Sequence, residues 1–549
     1  MTVMSGLRPQ VVLFSLALSI SSLTFTAARA EDFKLGDVKP GLEGFAFTAG
    51  VGNVMQRFDV KVLETLQDGN LPMIVIRGSG EFLDAVGGIG QGYSGSPVYL
   101  GGKLLGAISG GFPNDDHRLA LVTPIEFMRK ALPAPATLLN LIPNTPFKLP
   151  CLQDHGCAVP FSTPLSVSGL SPRATSALQT ALEGKGLPFN VTPLQGAQSN
   201  SSARPAYKLE PGAPISAQLV SGAINIGAVG AVTAVDGNRV LAFGHPIFGD
   251  SRVSYLMQGA YVLGFVNSTV VPFKLAEPIG APIGSFSADR PYGVGGVTGS
   301  VNAIPLEVTV KRGKDSNTTK VSLAPVPDIA GPLGLATTLE ALDNTLETST
   351  PGSSKLTWRL EFTDRAPLEY GDRVADGDDI ATATARRAGL LLALIAENPY
   401  AAVNLKRLTL NLEVAPYNAL RVVKAEVEKK TLKAGESTTL NLRLQPYRAA
   451  SQQRRVLIRI PADTAAGTLH LRVRGAGTGR PQNDASSQEN PDPWDGILTF
   501  DELLERMRSR VTGDYAVVET TGDNPTLIGL ESFGEVVTGW AYVDMQVVK

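Results

Sequence analysis

Short apolar runs separated by glycine- and proline-rich turns recur along most of this sequence. The run from Met73 to Ile76 and the alternating segment from Phe58 to Leu63 are two examples. Runs of this kind, bounded by turn residues, are typical of β-strands. The chain has 549 residues, with 57 glycines and 38 prolines, so its core is expected to divide among about two to four domains. We therefore expect a mostly β protein.

Changes in composition along the chain predict its domain organisation. A polar stretch after residue 475 has no apolar periodicity, which is typical of a linker. Ser171-Pro172 and Thr499 are typical helix starts, because their hydroxyls can cap the first free N–H groups. The predicted segments are a signal peptide at 1–30, a β domain at 31–310 with a small α/β insertion at about 160–210, a β-sandwich-like module with one helix at 311–475, a flexible linker at 476–496, and a C-terminal helix and β tail at 497–549.

The first thirty residues have the pattern of a secretory signal peptide. Arg8 supplies a positive start, residues 11–25 form an apolar core, and Ala28-Arg29-Ala30 is a small-residue cleavage pattern. An uncleaved N-terminal anchor is the alternative. No later stretch contains the roughly 20 apolar residues of a spanning helix, so we expect no membrane span after signal cleavage. The predicted location is exported: periplasmic, cell-envelope or extracellular.

The two cysteines, Cys151 and Cys157, lie close together in one loop. In an oxidising compartment, such a pair is expected to form a small-loop disulfide. His155 lies between them, but two thiols and one imidazole without a neighbouring cluster make a weak metal-binding pattern. We therefore predict a disulfide, no metal site and no cofactor.

The charge balance gives no support to a nucleic-acid or anionic-membrane partner. The formal net charge is −2 and no block of like charge occurs in the sequence. Nucleic-acid binding proteins concentrate lysine and arginine on one surface. We therefore expect no nucleic-acid partner.

The segment Gly92-Tyr93-Ser94-Gly95-Ser96-Pro97 is a candidate catalytic turn. Glycines adopt backbone conformations that other residues rarely do, so a serine between them can expose its hydroxyl. The same turn can direct the N–H groups of Gly92 and Ser94 at one point, as in an oxyanion hole. The alternative is a glycine-rich hairpin whose serines hydrogen-bond the backbone.

A candidate partner for the serine is His245, in the segment Gly244-His245-Pro246. This segment follows the apolar run 240–243, at the point where a strand gives way to a loop. An imidazole held there can lie at the edge of a cleft in a fixed orientation. The alternative is a histidine with a surface or packing role only.

These segments resemble the SpoIVB-type sporulation serine peptidase family over roughly residues 34–310. The serine turn is similar to that family's Gly-Met-Ser-Gly-Ser-Pro motif, and residues 241–245 are similar to its histidine site. Residues 58–60, 102–115 and 290–293 are also similar. The resemblance implies a serine endopeptidase on a trypsin-like double β-barrel. It also implies that Ser94 is the nucleophile, that His245 is the general base, and that the substrate is a protein or peptide.

Two features depart from the family pattern. The serine segment precedes the histidine segment here, so the shared blocks occur in rotated order, as in a circular permutation. In the family an acidic residue precedes the serine by fifteen positions, and this sequence has Ser79 there. The candidate third members are therefore Ser79, Asp84, Asp59, Asp115 and Asp250.

Two functions remain open from sequence. The first is an exported serine endopeptidase that acts by acyl transfer. The second is a catalytically weak or inactive binding or scaffold protein of the cell envelope, built on the same fold and contacting other envelope proteins. The missing acid and the large β-rich C-terminal part favour the second. A carbohydrate or surface-layer module is a further alternative.

Overall fold

The computed structural model of the protein describes residues 30–548 with internal gaps. The gaps are 69–70, 114–115, 133–150, 153–155, 162–164, 188–190, 195–203, 205, 248–250, 347–348, 479–495 and 523–524. The predicted signal peptide, apart from Ala30, and most of the predicted linker lie outside the described residues. Within the described residues the chain is mostly β, with thirty strands and six α-helices.

The N-terminal part of the described chain forms a first barrel. Its elements are β1 (Glu43–Ala49), β2 (Met55–Asp68), β3 (Leu71–Ser79), α1 (Glu81–Val86), β4 (Pro97–Leu100), β5 (Lys103–Gly111), β6 (Leu119–Pro124) and α2 (Ile125–Met128). In the chain they are followed by β7 (Cys151–Leu152) and β8 (Gly156–Cys157), which form a separate two-stranded sheet, and by β9 (Val159–Pro160), which pairs with β5. The strand order is β4-β1-β2-β3-β6-β5, and β4 also pairs with β5. Six strands thus close on themselves around buried side chains such as Phe58, Ile74 and Val98.

A second barrel follows. Its elements are β10 (Leu165–Ser168), α3 (Pro172–Glu183), β11 (Val191–Pro193), β12 (Pro214–Gly222), β13 (Asn225–Asp236), β14 (Arg239–Ala242), β15 (Ser251–Val266), β16 (Phe273–Arg290) and β17 (Gly293–Thr298). The pairings run β13-β14-β17-β16-β15-β12, and β12 pairs back with β13. The small α/β insertion, β10, α3 and β11, lies at the outer edge of this barrel through the pairing of β10 with β13.

The sheet of the second barrel continues beyond residue 300. The added elements are β18 (Ile304–Arg312), β19 (Asp315–Leu323), α4 (Ala330–Leu346), β20 (Gly352–Phe362), β21 (Leu368–Asp376), α5 (Ile380–Ala396) and β22 (Leu405–Ala415). Strand β12 pairs with β19, so thirteen strands form one sheet. The helices α4 and α5 belong to the same hydrophobic core as the barrel interior.

The C-terminal part forms a separate sheet with its own core. Its elements are β23 (Ala419–Val427), β24 (Thr431–Lys433), β25 (Ser437–Pro446), β26 (Gln452–Arg459), β27 (Gly467–Gly475), β28 (Tyr515–Thr520), β29 (Leu527–Ser532) and β30 (Val536–Val548). Helix α6 (Phe500–Arg508) lies between β27 and β28 in the chain, but its buried side chains belong to the core that α4 and α5 share with the second barrel. Eight strands form this sheet, with β26 and β29 at its ends. These end strands approach each other where Gly529 lies against the side chain of Ile458.

The packing divides the C-terminal half differently from the predicted boundaries. Residues 304–415 share a sheet and core with the second barrel rather than beginning a new module at 311. Residues 419–475 form one sheet with 515–548, across the predicted linker. The predicted module also contains two helices, not one, because α4 was missed. This helix is buried nearly all round, so it lacks the amphipathic pattern by which α5 was recognised.

The caps of two predicted helices are confirmed. The Ser171 hydroxyl accepts a hydrogen bond from the N–H of Ala174 and precedes Pro172 in the first turn of α3. The Thr499 hydroxyl accepts from the N–H of Glu502 at the start of α6. In both cases a short side chain binds an N–H group that the helix leaves unpaired.

The predicted disulfide is present. Cys151 and Cys157 are register partners on the two-stranded ladder of β7 and β8. Cys157 is disulfide-bonded, and neither cysteine of the chain is free. In the described part of the chain, every helix is too short or too polar to cross a lipid bilayer.

The contact between α4 and α5 makes a sensitive test of this packing. A Cβ atom added to Gly389 would lie 2.8 Å from the carbonyl oxygen of Gly331 and 2.9 Å from Cβ of Leu335. Replacing glycine by alanine inside an exposed helix normally stabilises it by about 1 kcal/mol. We expect Gly389→Ala instead to lower the free energy of unfolding by about 1–3 kcal/mol, because the helices must separate.

Urea unfolding followed by circular dichroism measures this change. Leu390→Ala is the control, because the neighbouring Leu390 is half exposed and should change stability by only about 0.5 kcal/mol. A stabilised Gly389→Ala variant would contradict the close approach of α4 and α5.

Candidate active site

Ser94 lies in the loop between α1 and β4 of the first barrel. Gly92 and Gly95 on either side have φ angles of +86° and +95°. Only glycine adopts these angles without strain, so the glycine spacing of the motif determines the shape of the loop. The N–H of Ser96 donates to the carbonyl of Tyr93 at 2.8 Å, which closes a tight turn around the serine.

The serine loop is packed directly against the second barrel. The carbonyl oxygen of Ser94 accepts a hydrogen bond from the N–H of Ala231 on β13 at 2.7 Å. The Thr233 hydroxyl donates to the carbonyl oxygen of Gly95 at 2.8 Å. A side chain on Gly95 would collide with the carbonyl oxygen of Ala231. The second glycine of the motif therefore allows the two barrels to meet at the serine.

His245 follows β14 of the second barrel in a tight turn. Phe243 and Gly244 have φ angles of +68° and +72°, so two consecutive residues are left-handed. Phe243 is held in this conformation by burial, with its ring packed edge-on against that of Phe286 at 6.1 Å. The Thr123 hydroxyl, at the end of β6, donates to the carbonyl oxygen of Gly244 at 2.7 Å. The first barrel therefore helps to hold the histidine turn.

The two loops bring Ser94 and His245 into contact although they are 151 positions apart. The Ser94 Oγ atom lies 2.7 Å from Nε2 of His245. The Nδ1 atom lies 2.7 Å from the carbonyl oxygen of Pro246. A carbonyl oxygen only accepts hydrogen bonds, so Nδ1 carries the proton and Nε2 accepts from the serine hydroxyl. The Pro246 carbonyl therefore selects the tautomer in which the imidazole can remove the serine proton.

Burial determines the charge of this imidazole. Both side chains of the pair are almost completely buried, with 2% of each residue exposed. Loss of hydration lowers the pKa of His245 to about 4, although the hydrogen bond to Pro246 acts in the opposite direction. The imidazole is therefore neutral near pH 7, the form that accepts a proton.

The proposed third members of a triad lie elsewhere, where the structure describes them. Asp59 is exposed and forms an ion pair with Arg57 at 3.2 Å. Asp84 is exposed and forms an ion pair with Arg118. Neither carboxylate contacts His245 in the described residues, since Nδ1 is bonded to the Pro246 carbonyl.

Of the other three candidates, the structure describes only one, Ser79. Ser79 is an exposed residue at the end of β3, where its register partner is Asp59. Asp115 and Asp250 lie outside the described residues, and so does His155, the candidate metal ligand. Within the described residues, no group of three or more histidine, cysteine and carboxylate side chains is arranged to hold a metal ion.

The predicted oxyanion-hole amides are those of Gly92 and Ser94. Neighbouring amides in the loop are occupied, since the N–H of Gly95 donates to the carbonyl of Ile108 at 2.8 Å. In the described part of the chain, the N–H groups of Gly92 and Ser94 donate to no backbone carbonyl. Both amides therefore retain the hydrogen-bonding capacity that an oxyanion would need.

Asp289, near the end of β16, was missed as a site residue. It is fully buried, and its two carboxylate oxygens accept from the N–H of Ile247 at 2.8 Å and the hydroxyl of Tyr255 at 3.0 Å. Burial, and secondarily the charge of Asp289, raise the pKa of the Tyr255 phenol. The signal in the sequence was an acidic residue in an apolar strand, directly before the Arg290-Pro291-Tyr292-Gly293 segment.

Lys274 is a second buried group that the sequence did not indicate. Its ammonium donates to the Thr48 hydroxyl at 2.8 Å and lies 4.8 Å from the centre of the Tyr93 ring. Ser96 of the serine loop donates to the same Thr48 oxygen at 3.0 Å. Burial lowers the pKa of Lys274 to about 7, because the charged form loses its hydration. Lys274 therefore supports the serine loop through Thr48, although burying its charged form costs free energy.

The arrangement combines a hydroxyl, a neutral imidazole of the required tautomer and two unoccupied amides. Such a group can carry out nucleophilic attack with general-base assistance. Searches against protein-family models, curated proteins and solved structures find no match to the chain. The geometry of these residues is therefore what indicates a function.

The buried lysine has a measurable consequence for stability. Its folded pKa of about 7 lies below the value of about 10.4 in an unfolded chain. The unfolded state thus binds more protons between these pH values, so the lysine destabilises the fold most below pH 7 and least above pH 10. We expect Lys274→Met to raise the free energy of unfolding by roughly 2 kcal/mol or more at pH 6.

Urea unfolding at pH 6 and at pH 10 measures this effect. The gain from Lys274→Met should shrink at the higher pH, where the folded amine is neutral and the unfolded amine has begun to lose its proton. Lys314→Met is the control, because Lys314 is exposed. An equal change at both pH values would show that the amine is not desolvated in the fold.

Proposed function

We propose that this protein is an exported serine endopeptidase in which Ser94 is the nucleophile and His245 the general base. The observation that carries the proposal is the 2.7 Å contact between Ser94 Oγ and His245 Nε2. Each residue comes from a different barrel, and each sits in a turn with left-handed residues beside it. Phe243, a non-glycine residue with a positive φ beside His245, has a backbone conformation of the strained kind that clusters at functional sites.

The proposed reaction is acyl transfer. The Ser94 oxygen attacks the peptide carbonyl carbon as its proton moves to Nε2 of His245, and the carbonyl electron pair becomes an oxyanion bound by the Gly92 and Ser94 amides. The C–N bond then breaks, and Nε2 returns the proton to the leaving amine. Water attacks the acyl-enzyme in the same way, which releases the carboxylic acid and restores the serine.

The fold supports the same proposal. Two six-stranded barrels meet at the serine and histidine loops, which is the arrangement that a trypsin-like double β-barrel would have. The rotated order of the SpoIVB-type segments is compatible with it, because each barrel contributes one residue whatever the chain order. The disulfide supports export to an oxidising compartment. The sandwich-like interpretation of the C-terminal module stays a prediction.

The absence of a carboxylate in contact with His245, within the described residues, lowers the expected rate. Loss of the acid from a related triad reduces kcat by about 10⁴, chiefly through the wrong tautomer. Here the Pro246 carbonyl selects the correct tautomer. We therefore expect a slow enzyme rather than an inactive one.

A scaffold without catalysis is the second candidate. One observation favours it: both Ser94 and His245 have only 2% of their surface exposed. A peptide carbonyl must reach bonding distance of Oγ, so surrounding groups would first have to move apart. In the scaffold alternative these groups stay in place, and the barrels and the C-terminal module bind other envelope proteins.

Labelling with a fluorophosphonate probe tests the proposal, since the probe reacts only with an activated serine. We expect labelling of the natural protein and loss of at least 10²-fold in Ser94→Ala and His245→Gln. Ser96→Ala is the matched control, because Ser96 lies in the same loop but bonds Thr48. No Ser94-dependent labelling of folded protein would support the scaffold.

The low pKa of His245 predicts an unusual pH profile. The reactive form has a neutral imidazole, so the labelling rate should fall only as the pH drops through about 4. An ordinary histidine would give an inflection near 6.5. Labelling rates between pH 3.5 and 8, with folding checked by tryptophan fluorescence, measure the inflection. A midpoint near 6.5 would show that the imidazole is hydrated in the reactive state.

A further inference from the structure

The hydrogen bonds of Pro246 and Ile247 involve the two ends of one peptide unit. The carbonyl oxygen of Pro246 accepts from Nδ1 of His245 at 2.7 Å. The N–H of Ile247, on the other end of the same peptide bond, donates to Asp289 Oδ1 at 2.8 Å. A continuous chain therefore runs from the Asp289 carboxylate through this peptide unit and the imidazole to the Ser94 hydroxyl.

We propose that Asp289 is the missing acid of the site and acts on His245 through the Pro246–Ile247 peptide unit. It is a positioning residue, because it touches the peptide and not the imidazole. This inference rests on the proposed function, but part of its test is independent of catalysis.

The physical basis is the polarity of the peptide group. A carboxylate that accepts from the N–H draws that proton towards itself and increases the negative charge on the carbonyl oxygen of the same unit. The carbonyl then accepts more strongly from Nδ1–H. When Nε2 takes the serine proton, the imidazole becomes positive, and the polarised carbonyl together with the nearby negative charge stabilises it.

Burial and hydrogen bonding strengthen the effect of the Asp289 carboxylate on His245. Asp289 and His245 are both almost completely buried, so little water screens the charge between them. The Tyr255 hydroxyl donates to the second oxygen, Oδ2, which holds the carboxylate plane in place. Burying a carboxylate is costly unless it is hydrogen-bonded, and here both oxygens accept.

The fold also explains how Asp289 reaches this position. Strand β17 pairs with β14, which leads into the histidine turn, and with β16, which carries Asp289. Asp289 is the register partner of Val294, and Val294 is also the partner of Ala242, three residues before His245. The acid thus lies two strands from the histidine turn in the sheet, far from the position expected from the family motif.

Asp289→Asn tests the proposal, because it removes the charge and keeps the shape. The amide oxygen still accepts from the Ile247 N–H, and the Tyr255 hydroxyl can rotate to accept from the new NH₂ group. Tyr255→Phe is the matched control, since it removes the hydrogen bond from the Tyr255 hydroxyl but leaves the carboxylate bonded to the N–H of Ile247. Both variants are first checked for native melting temperature and circular dichroism.

The first measurement is NMR of the full chain with ¹⁵N-labelled histidine, near pH 7. The Nδ1–H resonance of His245 is identified by its loss in His245→Gln, since the sequence holds four histidines. We expect Asp289→Asn to move this proton resonance upfield, because the hydrogen bond to Pro246 weakens, and Tyr255→Phe to move it much less. An unchanged resonance in folded Asp289→Asn would overturn the proposal.

The second measurement is the rate of fluorophosphonate labelling in a double-mutant cycle. Asp289→Asn should lower the rate by about tenfold when His245 is present. In the His245→Gln background it should cause no further loss, because the acid acts only through the imidazole. Equal losses in both backgrounds would indicate general disruption of the site and contradict the proposal.

The two measurements separate the failure of each proposal. If folded natural protein shows no Ser94-dependent labelling but the Nδ1–H resonance moves, the peptidase proposal fails and the link from Asp289 to His245 stands. If labelling occurs and neither the resonance nor the rate responds to Asp289→Asn, the link fails and the peptidase proposal stands.

Discussion

The contact between the serine loop of the first barrel and β13 of the second barrel underlies the rest of the site. It consists of the hydrogen bond from Ala231 to Ser94 and the close approach of Gly95 to the same strand. Without it, Ser94 and His245 would belong to two unrelated surfaces. The first barrel in turn helps to hold the histidine turn, because the Thr123 hydroxyl donates to the carbonyl oxygen of Gly244. Each barrel thus positions part of the other's loop.

The second constraint is that ionisable side chains at this contact are buried away from water. His245, Lys274 and Asp289 are buried within or beside it, and the cost of burying each ionisable group is offset in a different way. His245 is kept neutral, and Asp289 accepts from the N–H of Ile247 and the hydroxyl of Tyr255. Lys274 lies over the Tyr93 ring and bonds a hydroxyl. Buried ionisable groups reduce stability, so their concentration around one serine is more typical of a functional site than of a structural core.

The local features of the fold were predictable from sequence because they depend on neighbouring residues. Alternating apolar runs indicated strands, and Ser171 and Thr499 marked helix starts that the structure confirms. Helix α4 was missed because a helix buried on all sides lacks an apolar stripe. The boundary at 310 was misplaced because strand pairing between β12 and β19 is a non-local property that composition does not reveal.

At the candidate site, the sequence by itself determined the backbone conformations of the serine turn and the histidine turn. The glycines around Ser94 and the Gly-His-Pro segment establish which backbone shapes are accessible, since φ preferences act within one or two residues. Only the tertiary structure decided that these turns meet, that the imidazole is buried and neutral, and that Asp289 lies behind it. These depend on contacts across 151 and 42 positions. No local rule links such positions, because chain entropy and packing of whole barrels determine which distant segments touch.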